Sequence, residues 1–253
     1  MVYRTHAQAD VLNRLHAAIR ENIMLRPYDK LPGELQNDAV RRYYDILHRK
    51  RTALVVKRIT DFVLALVILL FLLLPMAVIA VIVKCGSKGP VLYRQERVTT
   101  YNRHFRIMKF RTMTVGADQA GALVTSQEDT RVTKAGAVLR RYRLDELPQI
   151  FHVLSGKMSF VGTRPEVPHY VERYTPEMMA TLLMPAGITS LASIKYKDED
   201  EIIGRISDPV EVDRVYVEEI LPEKMKYNLA YLSSFGVGSD IRLMFLTFRH
   251  VAS

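Results

Sequence analysis

The chain has 253 residues and a formal net charge of +9, enough for one large domain or a core with appendages. That balance favours anionic partners: nucleic acid, anionic lipid or phosphorylated substrates. Its single cysteine, Cys85, excludes an intramolecular disulfide framework and a cysteine-based zinc site and is read as a packing residue; the histidines lack metal-ligand spacing, and there is no P-loop or G-x-G-x-x-G.

Residues 5–25 carry Val11, Leu12, Leu15, Ala18, Ile19 and Ile23 at helical spacing and predict an amphipathic helix. The first long apolar run comes only after Arg58, so no cleavable signal peptide is expected. Pro27 and Pro32-Gly33 punctuate a turn. A second helix is predicted from Leu35 onward, carrying Arg41, Arg42, Arg49, Lys50, Arg51, Lys57 and Arg58. Such a charge run suits a solvated face, and beside an apolar segment it also suits anionic headgroups.

From Phe62 to Val83 no residue is charged. A helix of that length crosses a hydrocarbon core of roughly 30 Å. Pro75 sits within it, where it frees the carbonyl of Phe71 and favours a kink. Both flanks are basic, with Lys84, Lys88, Arg94 and Arg97 on the far side. Basic flanks are cytoplasmic ones, so a re-entrant hairpin is as well supported as a spanning helix.

Past Gly89-Pro90 the pattern changes. Val91, Tyr93, Phe105 and Ile107 mark two short strands joined through Thr99 to Arg103. Residues 116–128 lack a pattern, and a helix is expected from Thr133 to Tyr142. Then comes Arg140-Arg141-Tyr142-Arg143-Leu144-Asp145-Glu146-Leu147-Pro148-Gln149. Pro148 is tolerated only near a helix start, which places that start at Leu144 to Glu146. Both carboxylates then lie among unpaired N–H groups at the positive end of a dipole. Taken alone, such residues are more often caps than catalysts. Together with the arginines and a bridging divalent metal, they could share the place with a phosphate. Further on, Gly162 permits a turn and Pro165 holds Arg164 extended, its planar fork suited to a diphosphate. Residues 176–184 and 210–232 read as helices. The stretch from Asp240 to Val251 suits either an interfacial or a buried helix.

In this order and spacing the chain resembles the bacterial sugar transferases known as monotopic phosphoglycosyl transferases. The resemblance runs from about Lys57 onward. It rests on the basic-flanked apolar segment with its proline, Lys109-Phe110-Arg111-Thr112-Met113, Asp129-Thr130-Arg131-Val132-Thr133, Gly136 and Leu139-Arg140. Arg143-Leu144-Asp145-Glu146-Leu147-Pro148-Gln149, Val161-Gly162-Thr163-Arg164-Pro165 and Gly187-Ile188-Thr189 complete it. Thr163, Ala186, Ser190 and Leu74 depart from the usual pattern.

The resemblance implies an α+β, mainly helical fold. Residues 57–85 form a membrane-inserted helix broken at Pro75, and 86–253 a small cytoplasmic catalytic domain with a short β-hairpin and interfacial amphipathic helices. Residues 1–56 are a helical extension, read as a dimerisation or membrane-surface element; a homodimer is one of the expected partners. The resemblance further implies that Asp145 is the nucleophile and Glu146 a metal ligand, the pair holding Mg²⁺. Lys109, Arg111, Arg131, Arg140 and Arg164, with Pro165, form the phosphate side. The substrates implied are a UDP-sugar and polyprenyl (undecaprenyl) phosphate, at the cytoplasmic face of a bacterial inner membrane rich in anionic lipid. Nucleic acid is not expected.

Three rivals remain open. Both carboxylates could serve the metal while the lipid phosphate attacks directly. Asp198-Glu199-Asp200 resembles the metal motif of nucleotide-sugar glycosyltransferases, although no alternation of strands and helices precedes it. A basic, non-enzymatic membrane adaptor also fits the charge.

Overall fold

The computed structural model describes residues 25–116, 131–196, 199–204, 206 and 208–252. The helix expected over residues 5–25 and nearly all of 116–128 lie outside them. Helix α1 spans Asp38–Arg49 and α2 Arg51–Gly86. A hairpin follows, β1 (Leu92–Thr99) and β2 (Arg103–Phe110). Helix α3 (Lys134–Arg141) leads through a 3-10 turn (Leu144–Gln149) into α4 (Ile150–Leu154). Strands β3 (Met158–Val161) and β4 (Ala186–Thr189) flank α5 (Pro168–Val171) and a second 3-10 turn, Met178–Leu183. Then come α6 (Leu191–Lys195), α7 (Glu199–Gly204), α8 (Pro209–Val215), a π-helical turn (Tyr216–Ile220), α9 (Leu221–Ser234) and α10 (Val237–Ala252). The architecture is α+β and mainly helical.

Asn37 starts α1 by accepting the Val40 N–H at 2.9 Å, the expected capping geometry. Leu35, Val40, Tyr43 and Leu47 are then buried in one core with Val98, Leu183, Leu232 and Phe235. Residues 31–47 are thus built into the main body rather than set beside it. Tyr43 adds a 2.7 Å bond to Glu177.

Helix α2 is the one helix among the described residues long and apolar enough to cross a membrane. It is helical through Pro75, with no non-helical residue separating its two halves. Packing on both sides of the proline accounts for this. Ala65 joins a cluster with Phe105, Ile107, Ile150 and Val153. Ile79 and Val83 join another with Phe110 and Leu139. The outer face stays bare: Phe71 is 76% exposed and Leu74 75%. Cys85 is exposed rather than packed, because Lys84, Cys85 and Gly86 all lie on the open last turn.

The hairpin is antiparallel, with Leu92 opposite Phe110 and Thr99 opposite Arg103. Its turn is tight, with Tyr101 and Asn102 both at positive φ. The parallel pair of β3 and β4 has no counterpart in the sequence reading. Each strand has only four residues, too few to show a period of two. Thr99 joins the two sheets: its hydroxyl donates to the Lys157 carbonyl at 2.8 Å and accepts from the Ala186 N–H at 3.2 Å.

Helix α10 resolves the open choice for its stretch. Asp240 and Leu243 are buried, whereas Ile241, Phe245 and Phe248 form an exposed apolar stripe at i, i+4, i+7. The buried side is anchored by charge. Lys57 donates to Asp240 at 2.5 Å, Tyr231 donates to Asp240 at 2.9 Å, and Ser159 donates to Asp61 at 2.7 Å. Burial pushes the Asp240 carboxyl up from its ordinary value, against the pull of Lys57.

Candidate active site

The acidic pair sits on the 3-10 turn between α3 and α4. Arg143 enters it in the left-handed region, φ 51°, and Pro148 lies inside it. The turn is tighter than the α-helix expected there, and it is covered: Asp145 and Glu146 are only 7% and 8% exposed. Leu144 and Leu147 anchor it by packing into the cluster around Val83 and Phe110. Strand β2 passes beside it and delivers Lys109. The Gly162–Pro165 loop after β3 delivers Arg164.

Glu146 Oε1 accepts from Lys109 Nζ and from Arg164 Nη2, each at 2.8 Å. Burial would raise this carboxyl, but Arg164 and Lys109 outweigh it and hold Glu146 well below the usual carboxylate range. Arg164 is raised in turn, chiefly by Glu146. Lys109 is lowered, because burial together with the nearby Arg164 charge outweighs Glu146. Asp145 is different. No ion pair or side-chain hydrogen bond engages it among the described residues, and burial raises its carboxyl while Lys109 and Arg140 pull the other way. The two carboxylates are therefore unequal: one is fixed between two cations, and the other has no such ion pair among the described residues.

Arg140 reaches this region from the last turn of α3. Its Nε donates to the Thr112 hydroxyl at 2.9 Å. The close packing of α3 on this strand end depends on Gly136, where a Cβ would lie 2.0 Å from the Thr112 carbonyl oxygen. Arg131 sits on the same seam; its carbonyl accepts from the Thr114 N–H at 3.0 Å. Pro165 contributes its carbonyl, which accepts from Arg97 Nη1 at 3.1 Å. Arg111 is not on Glu146. Its Nη2 turns instead to the end of α2, donating to the Ser87 carbonyl at 2.7 Å and the Ser87 hydroxyl at 2.8 Å. Pro75 lies on the bare stretch of α2.

Behind Arg164 lies a buried network that the sequence reading did not assign. Glu166 accepts from the Tyr216 hydroxyl at 2.9 Å and pairs with Lys224 at 3.2 Å. Lys224 also pairs with Glu199 at 3.1 Å, so this residue of the acidic stretch serves the fold. The network and Arg97 fix the loop that carries Arg164. Its one sequence signal was Lys224, a lone lysine on the inward face of α9 beside Leu221 and Met225.

Among the described residues, no group of three or more His, Cys, Asp or Glu could hold a metal. Mg²⁺ asks for less, being held by one or two carboxylates plus substrate phosphates. Asp145 and the second oxygen of Glu146 are the carboxylate groups that would hold it.

The family model for bacterial sugar transferases matches residues 52–253. A UDP-glucose:undecaprenyl-phosphate glucose-1-phosphate transferase of Klebsiella pneumoniae is 34% identical over 198 residues, 77% of this chain and 39% of that protein. A UDP-N-acetylgalactosamine-undecaprenyl-phosphate N-acetylgalactosaminephosphotransferase of Aeromonas hydrophila is 36% identical over 200 residues, 78% of this chain and 43% of that protein. A putative undecaprenyl-phosphate N-acetylgalactosaminyl 1-phosphate transferase of Bacillus subtilis is 38% identical over 142 residues, 55% of this chain and 79% of that protein. The chain thus spans well under half the length of the first and second of these relatives. With most of its length matched, and with the acidic pair and its cations gathered in one place, the chain belongs to the bacterial sugar transferase family.

Proposed function

We propose that the protein transfers a phosphosugar from a UDP-sugar to membrane polyprenyl phosphate in two steps, by way of Asp145. A carboxylate oxygen of Asp145 attacks the β-phosphorus. An O–P bond forms, the bridging P–O bond breaks, and the bridging oxygen leaves with UMP. An oxygen of the lipid phosphate then attacks the same phosphorus, giving a polyprenyl-diphosphate sugar and returning the Asp145 carboxylate. No proton need move. The relatives' names support the substrates. The observation that carries the mechanism is the inequality of the pair: Glu146 is pinned by Lys109 and Arg164, while Asp145 has no such partner among the described residues.

Transfer at phosphorus is mostly positioning and charge neutralisation. Lys109 and Arg164 put two positive charges against the two carboxylates, and Arg140 near Asp145 adds a third towards an incoming diphosphate. Mg²⁺ held by Asp145 and Glu146 would supply further neutralisation. Burial of Asp145 removes water that would compete for the phosphorus.

The membrane reading rests on α2. Its outer face is bare and apolar, yet both ends are tied to one body: Arg58 to the Val153 and Leu154 carbonyls, Ser87 to Arg111. A straight span would put those ends roughly 43 Å apart, on opposite sides of a hydrocarbon core of about 30 Å. Shared packing supports insertion from one side, with the Ile241–Phe248 stripe of α10 at the interface and the body on the cytoplasmic face. Anionic headgroups would meet the basic flanks.

Measuring the nucleotide product tests the reaction class. Multiple-turnover UMP release dependent on both UDP-sugar and polyprenyl phosphate is expected. Release of UDP would make the protein a glycosyltransferase, and no release would leave the adaptor.

A further inference from the structure

Two arginines outside the acidic site hold the two ends of α2, and both connect to the elements that carry it. Arg58 forks onto consecutive carbonyls: Nη1 donates to Val153 at 2.6 Å and Nη2 to Leu154 at 2.9 Å. Those carbonyls close α4, which continues directly from the turn bearing Asp145 and Glu146. At the other end, Nη2 of Arg111 bonds Ser87 twice and reaches the Val83 carbonyl at 3.5 Å. Arg111 lies two residues beyond Lys109, just past the end of β2. It is 6% exposed, and its Nε and Nη1 have no hydrogen-bond partner among the described residues. Burying a guanidinium without a carboxylate is costly, and what Arg111 makes in return is its set of bonds to the end of α2.

We propose that Arg58 and Arg111 are positioning residues that lock the inserted helix to the catalytic turn, so that the seat of α2 in the membrane sets the height of Asp145 relative to the lipid phosphate. The inference rests on the two-step reading above. Transfer to the lipid needs the acidic pair and the acceptor phosphate in one plane. Loading from a soluble nucleotide sugar needs no such register. The clamp therefore acts on the second step and spares the first.

The test separates the steps in the full chain, reconstituted in vesicles of phosphatidylethanolamine and phosphatidylglycerol. Labelled UMP exchange into UDP-glucose or UDP-N-acetylgalactosamine, without acceptor, reads the first step. Turnover with undecaprenyl phosphate reads the second. Arg58→Gln should keep exchange within about threefold of wild type, and both Arg58→Gln and Arg111→Gln should lose at least tenfold in kcat/KM for the lipid. Arg58→Lys and Arg111→Lys, which keep the charge but not the fork, should fall in between. The chain has no tryptophan, so Phe71→Trp on the bare face reports depth by quenching with brominated lipids. Its quenching profile should shift in both Gln variants. Parallel loss of both steps in Arg58→Gln, unchanged lipid kcat/KM in either Gln variant, or an unmoved profile would each overturn the clamp. If wild type itself shows no exchange, the two-step reading fails, and lipid kcat/KM with the depth profile still decides the clamp.

Discussion

Glu146→Gln removes the charge that Lys109 and Arg164 share while keeping the side chain's shape. Each 2.8 Å bond to an ionised, desolvated carboxylate contributes roughly 1.5–3 kcal/mol. The Lys109 and Arg164 side chains are 23% and 31% exposed, so water screens part of each bond. The Gln carbonyl keeps one weaker bond. The net loss is then about 2 kcal/mol, or roughly 4–8 °C in Tm for a chain of this size. The pH dependence has a definite sign. The folded Glu146 carboxyl lies well below its ordinary value, so its contribution is complete above the unfolded pKa. It is lost as pH falls through the depressed folded value. Because Gln does not titrate, the gap between wild type and variant should narrow once the pH drops below about 4. Thermal unfolding by circular dichroism in nanodiscs, from pH 7.5 downward, reads both quantities. Equal midpoints at pH 7.5, or a gap that stays constant into acid, would refute the shared-anion account.

His152 accepts the Met108 N–H at its Nε2 at 3.1 Å, and burial, with Lys157 nearby, lowers its pKa to about 4. Its NMR titration should show a neutral ring with the proton on Nδ1 until the pH approaches 4; a midpoint near 6.5 would place the ring in solvent. Since the unfolded chain binds that proton first, this group's stabilisation is full above about 6.5 and declines as pH falls from there towards 4. Gly136→Ala puts a methyl 2.0 Å from the Thr112 carbonyl oxygen; it should cost roughly 1–3 kcal/mol and lower turnover by displacing Arg140. A normal melt with full activity would show that α3 moves freely. For topology, an impermeant maleimide applied to intact cells should leave Cys85 unlabelled, as it should Arg51→Cys in a Cys85→Ser background. Labelling of either from outside would establish a spanning helix.

The local features were legible in the sequence. The hairpin, α3 and the apolar helix each carry a strong period or a bounded apolar run, and Lys109, Asp145, Glu146 and Arg164 do converge. What depended on tertiary contact was not legible. Pro75 marks a weak point in α2, but only the packing of the two halves against the same body shows that the helix continues on both sides of it. Arg111 stands in the same motif as Lys109, but only the position of the α2 end shows that it caps a helix. Four-residue strands and the Glu166–Lys224 pair, 58 residues apart in numbering, leave no local trace.

Covalent capture on Asp145 tests the central claim most directly. Wild-type protein incubated with UDP-sugar and no lipid acceptor, then quenched under conditions that preserve an acyl phosphate, should gain the mass of one phosphosugar on the peptide containing Asp145. Adding polyprenyl phosphate before the quench should discharge it, and Asp145→Asn should gain no mass and show no turnover. An active Asp145→Asn enzyme, or turnover by wild type with no adduct, would contradict the account and transfer the attack to the lipid phosphate itself.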